Sequence, residues 1–89
     1  MINNEDKKII ISWAKTFDVK EIYLFGSSLE SEVDAQDIDI AVRGITPTVF
    51  FDFCGKLLRY LSKPVDIVNL STTSRFTKLI GQDAVKIYG

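Results

Sequence analysis

Histidine is absent from the 89 residues, cysteine and tryptophan occur once each, and proline occurs twice. Without imidazole there is no Ser-His-Asp or Cys-His nucleophile system, no histidine-liganded zinc and no histidine pH switch. A lone Cys54 forms neither an internal disulfide nor a cysteine metal cluster, which fits a reducing compartment. No apolar run approaches the roughly 18 residues of a membrane span. The start Met1-Ile2-Asn3-Asn4-Glu5-Asp6 does not read as a leader peptide, so the expected location is cytoplasmic with no membrane contact. An excess of positive charge is also missing. Lys and Arg number 11 against 12 Asp and Glu, a net charge of −1, which argues against a duplex nucleic-acid binder built on a basic face. What is present, 46% apolar and 26% charged residues, describes one globular domain over residues 1–89. A core this small leaves little room for a second lobe, so an elaborate substrate is expected to be recognised partly by another molecule.

Asn3 or Asn4 can cap a helix whose first turn holds Glu5 and Asp6. Ile9, Ile10, Trp13, Ala14 and Phe17 recur at helical spacing, predicting an amphipathic helix over roughly residues 4–17. Ile22-Tyr23-Leu24-Phe25, stopped by Gly26, reads as a central strand covered on both faces. Residues 26–36 are polar and short, with Ser27 or Ser28 placed to open a brief helical turn. The period-two run Asp37 to Arg43, ended by Gly44, is a second strand. Thr46-Pro47 opens a long helix, with Thr46 as cap and Pro47 in its first turn. Lys63-Pro64 stops it, and Val65 to Leu70 is a third strand. A further helix is predicted from about Thr73 to Gly81, and Ala84 to Tyr88 reads as a strand or a frayed end. The order α-β-α-β-α-β-α predicts an α/β (α+β) fold, a small sheet with helices packed on it.

Strand alternation puts Asp37 and Asp39 on one face, with Cα atoms about 6.6–6.8 Å apart, and Ile38, Ile40 and Val42 on the other. Two carboxylates this close repel unless water or a cation screens them, and oxygen-only donors suit Mg²⁺ or Mn²⁺. By itself an Asp-x-Asp strand is as well explained by two solvated aspartates. Two further features favour a site. Gly26-Ser27-Ser28 ends the preceding strand as a turn able to offer amide and hydroxyl donors to phosphate. Asp66 lies in the otherwise apolar Val65-Asp66-Ile67-Val68, where burial without a partner is costly, and it joins Asp37 and Asp39 if the third strand lies beside the second. Three carboxylates and a phosphate-binding turn are the parts of two-metal phosphoryl transfer.

In these segments the sequence resembles the nucleotidyltransferase superfamily of the DNA polymerase beta type, and most of all its minimal single-domain members. The segments are Tyr23-Leu24-Phe25-Gly26-Ser27, Asp37-Ile38-Asp39-Ile40 and Val65-Asp66-Ile67-Val68. The resemblance implies a small mixed sheet carrying the aspartates, and transfer of a nucleoside monophosphate, AMP, from an NTP to a hydroxyl. By position, Gly26 and Ser27, with Ser28 beside them, would hold phosphates. Asp37 and Asp39 would bind two Mg²⁺ or Mn²⁺ ions, and Asp66 would bind the catalytic one and help activate the acceptor. Many minimal members are paired with an all-helical HEPN-type protein in two-gene toxin-antitoxin modules, which makes such a protein, with ATP, the expected partner. One departure is Glu30, standing where a cation is common. It keeps a second reading open, in which a weakly active or inactive domain of this fold neutralises its partner by binding alone.

The helix after Pro47 is apolar over about 200° of its circumference, twice what packing on a sheet needs. Phe51, Leu58 and Cys54 fall on the margin, either covered by neighbouring helices or forming an interface with a second copy or a helical partner. Ile11 is a weaker candidate of the same kind.

Overall fold

The computed structural model describes residues 2–26, 37–70 and 84–89. In chain order these form α1 (Asn4–Thr16), β1 (Glu21–Leu24), β2 (Ile38–Arg43), α2 (Pro47–Tyr60), β3 (Val65–Asn69) and β4 (Val85–Tyr88). The sheet order is β3-β2-β1-β4. β2 and β3 run parallel, whereas β1 is antiparallel to both β2 and β4, so the sheet is mixed. The terminal segment, a strand or a frayed end by sequence, is a strand because β1 supplies its pairing edge. The helices predicted at Ser27 or Ser28 and from Thr73 to Gly81 lie outside the described residues.

Local chemistry sets the ends of α1. The Asn3 side chain accepts a hydrogen bond from the Asp6 amide at 2.8 Å, satisfying one of the donors that a helix N-terminus leaves unpaired. At the other end the Val19 amide donates to the Ala14 carbonyl at 2.9 Å and the Asp18 amide to Lys15 at 3.3 Å. This is a Schellman ending, with Asp18 at φ 57° in the left-handed position more often held by glycine. α2 begins at Pro47, whose fixed φ suits the first turn. Thr46 occupies the cap position, but its side chain makes no capping hydrogen bond.

Both helices cover one face of the sheet. Ile10 and Ala14 of α1, Phe53 and Leu57 of α2, and Ile22, Leu24, Ile38, Ile40 and Val42 of the strands form a continuous buried cluster. Aromatic contacts join its margins: Trp13 stacks on Tyr60 with centroids 5.6 Å apart, and Phe17 meets Phe53 edge-on at 6.0 Å. One carboxylate closes the helix pair. Asp6, in the first turn of α1, is only 2% exposed. It accepts hydrogen bonds from the Ser62 amide at 3.1 Å and hydroxyl at 2.6 Å, tying the start of α1 to the end of α2.

β1 departs from its predicted coverage. Ile22 and Leu24 are fully buried, but Tyr23 and Phe25 on the opposite face are only half-buried. They belong to a smaller cluster with Ala41, Val68, Leu70 and Ala84. Ala41 and Leu70 are buried in that cluster, so the second face is covered near its middle and exposed toward Asp37 and Asp66. Among the described residues no helix is long and apolar enough to cross a membrane.

Candidate active site

Register brings the predicted aspartates together. The Ile38 amide donates to the Pro64 carbonyl at 2.8 Å, so the turn that ends α2 also fixes where β3 starts along β2. From there Ile38 pairs with Val65 and Asp39 with Asp66. Residues opposite one another on neighbouring strands project to the same face, with strands about 4.8 Å apart. Val65 and Ile67 pack with the helix-covered core, which sends Asp66 to the open face beside Asp39. Asp37, immediately before β2, lies two residues from Asp39.

Asp66 stands in an apolar run where burial without a partner would be costly, and it is exposed, as is Asp37, while Asp39 is half-buried. β3 is an edge strand of the sheet, with one face on the core and one open, so its carboxylate needs no buried partner. Among the described residues no group of three or more Cys, Asp or Glu side chains is placed to hold a metal ion together. The aspartates are gathered on one open face at neighbouring strand ends rather than in a cage.

Gly26 is held against this group. The Phe25 amide donates to the Asp39 carbonyl at 3.2 Å, drawing the turn onto β2. Gly26 has φ 59°, and a Cβ built on it would stand 2.8 Å from Asp39 Oδ2. Only a residue without a side chain fits there undisturbed, for reasons of both backbone angle and space. Ser27 and Ser28, the other expected phosphate ligands, lie outside the described residues, as does Glu30. Asp37, Asp39 and Asp66 carry hard oxygen donors, the type that Mg²⁺ and Mn²⁺ prefer, and the glycine lets backbone approach Asp39 closely.

Sequence reasoning missed a polar group at the other end of the open face. Tyr23 donates its hydroxyl to Glu21 Oε2 at 2.7 Å. Lys86 Nζ lies 3.1 Å from the same oxygen, and Arg43 Nε lies 3.8 Å from Oε1. The Tyr23 hydrogen bond, helped by Lys86, holds the Glu21 carboxyl below its ordinary value. That same bond raises the Tyr23 phenol. Arg43, which shares a face with Asp37 and Asp39, is thus engaged with Glu21 across the β1–β2 register. The alternation of Glu21 and Tyr23 was visible in the sequence, but Lys86 comes from the last strand and only pairing brings it there.

Residues 7–89 match the family model of the polymerase beta nucleotidyltransferases. The chain belongs to that family. No curated protein sequence matches it significantly, but several solved structures do. A toxin-antitoxin structure with AMP-PNP is 28% identical, with a TM-score of 0.77, over 98% of this chain and 74% of the other. A structure of a tri-AMPylated Shewanella oneidensis HEPN toxin in complex with MNT antitoxin is 27% identical, with a TM-score of 0.71, over 99% of this chain and 73% of the other. An MntA-HepT toxin-antitoxin structure is 24% identical with a TM-score of 0.74, covering 98% and 73% of the two chains, and supports the fold alone. The mixed sheet and its helix-covered core are those of this nucleotidyltransferase fold.

Proposed function

We propose that this single domain transfers AMP from ATP to a hydroxyl of a helical HEPN-type protein and acts as the antitoxin-like half of a two-gene module. The observation that carries the reading is the parallel register that sets Asp66 beside Asp39, two residues from Asp37, on the face the helices leave open. Family membership gives the reaction class. The neighbours with AMP-PNP and with an AMPylated HEPN toxin support the nucleotide and the acceptor.

In this reading Asp37 and Asp39 would hold two Mg²⁺ or Mn²⁺ ions, and Asp66 would help hold the catalytic one. Such ions, when bound, lower the pKa of an attacking hydroxyl and offset the charge of departing pyrophosphate. Asp66 orients the acceptor hydroxyl, whose oxygen forms the new bond to the α-phosphorus while the bond to the β-phosphate oxygen breaks. Pyrophosphate leaves and the hydroxyl proton passes to solvent. Gly26, Ser27 and Ser28 hold the β- and γ-phosphates, with the glycine keeping the turn close to Asp39. Water must be kept from competing with the acceptor, and on so open a face the docked partner does this.

Purified chain, its HEPN-type partner, α-labelled ATP and Mg²⁺ make the test. Label appears on the partner with the native chain and not with Asp39→Asn. Absence of transfer with the native chain, with partner neutralisation unchanged by Asp39→Asn, would support the second reading, a binding module, which Glu30 in place of the usual cation favours.

A further inference from the structure

Four residues of α2 form an apolar stripe away from the core. At about 100° per residue, Phe51, Cys54, Gly55 and Leu58 share one side of the helix, roughly opposite the buried Phe53 and Leu57. Phe51 is 81% exposed and Leu58 60% exposed, so no element among the described residues covers them. A Cβ at Gly55 would meet nothing within 4 Å, leaving space for another backbone to approach the middle of the stripe. Charge borders one edge: Asp52 lies toward the helix start and Arg59 seven residues on, both exposed.

We infer that this stripe is the contact between two copies of the chain, packed α2 against α2 in antiparallel fashion about a two-fold axis near Gly55. The charge pattern singles out this occupant. Under that symmetry the edge carrying Asp52 in one copy faces the edge carrying Arg59 in the other, twice, while Phe51 packs beside Leu58 of the second copy. A parallel pairing would instead set this charged edge against the uncharged Cys54 edge of the other copy and form no charge pair. A two-fold contact needs one self-complementary patch, and this is one. A single helix face buries less than the roughly 800 Å² per partner of a standard stable interface, so the dimer is weak, on the order of micromolar. The inference does not depend on the proposed reaction.

Sedimentation equilibrium of the full chain from about 1 to 300 µM tests it. The native chain is expected to show reversible dimers, and a short bismaleimide is expected to join Cys54 to Cys54, the one cysteine in the chain. Phe51→Ser with Leu58→Ser should abolish dimer and cross-link, with an unchanged circular dichroism spectrum showing that it still folds. Asp52→Arg alone and Arg59→Asp alone should each weaken the dimer at least about tenfold, because each sets like charges opposite one another. An equimolar mixture of these two variants should restore pairing, as a heterodimer. A native chain that stays monomeric at 300 µM, or a mixture of the charge variants that fails to pair, would overturn the inference. A native monomer that loses only binding of a HEPN-type partner with Phe51→Ser and Leu58→Ser would also overturn it and assign the stripe to that partner.

Discussion

The two faces of the four-stranded sheet are built from alternate residues of the same strands, yet they obey different rules. On the helix-covered face Ile22, Leu24, Ile40 and Val42 are fully buried among Ile10, Phe53 and Leu57. On the open face the corresponding positions hold Glu21, Tyr23, Asp39, Arg43, Asp66 and Lys86, with only a small apolar patch around Ala41 and Leu70 between the acidic and mixed-charge ends. One face supplies stability through close packing. The other leaves Asp37 and Asp66 exposed to water, and it can do so because the first supplies the core. This division explains how so small a domain accommodates three like-charged aspartates near one another.

The comparison breaks most directly at Phe53. Replacing it with alanine removes a fully buried ring that also meets Phe17, and should cost about 3–5 kcal/mol, a large part of the roughly 5–15 kcal/mol holding a domain together. Urea unfolding checks this, with a parallel loss of every activity. Asp39→Asn should do the reverse: an unchanged unfolding midpoint with transfer slowed on the order of a thousandfold, about 4 kcal/mol of lost transition-state stabilisation. If Asp39→Asn unfolded the chain, the separation of the faces would be wrong. Gly26→Ala touches both. Its Cβ would press on Asp39 and its backbone would be strained at positive φ, so stability should fall by about 1–2 kcal/mol. Transfer should fall further, by roughly ten- to a hundredfold, because a small displacement of a positioned group is costly to the reaction.

The smallest effect lies at the Glu21 end. The Glu21 carboxyl is held below its ordinary value of 4.5, so its contribution is present above that pH and is lost as pH falls through the lowered value. The Tyr23 phenol is held above its ordinary 10.0, so its contribution is present below that pH and is lost as pH rises through the raised value. Amide hydrogen exchange of β4 should therefore quicken in acid before the helices loosen. Glu21→Gln should flatten that response while changing stability at neutral pH by less than about 1 kcal/mol, as expected for an ion pair open to water.

Much of this was legible along the chain. Helical spacing around Ile10, Trp13 and Ala14, Pro47 in the first turn of α2, and alternation from Asp37 to Arg43 each announce an element through local sterics and periodicity. The aspartates were legible as candidates for the same reason, since alternation alone separates Asp37 and Asp39 from Ile38 and Ile40. Asp6 was not. Its partner Ser62 is 56 residues away, and nothing beside Asp6 distinguishes a clasping carboxylate from an ordinary first-turn acid. Asp66 was half legible: its residue type marked it, but its exposure depended on β3 lying at the sheet edge. The margin of α2 was ambiguous for a similar reason, and among the described residues no helix covers Phe51 or Leu58.

The sequence by itself determined where the elements lie, which side of each strand is apolar, and that histidine and paired-cysteine chemistry is absent, leaving the carboxylates as the candidates. Those properties depend on neighbours a few residues apart, and backbone geometry alone converts them into faces. Tertiary structure decided the strand order, the parallel pairing that sets Asp66 beside Asp39, the approach of Gly26 to that carboxylate, and the gathering of Lys86 and Arg43 about Glu21. These join segments distant in the chain, and their register follows from which apolar side chains fill one shared core, a condition no single segment carries.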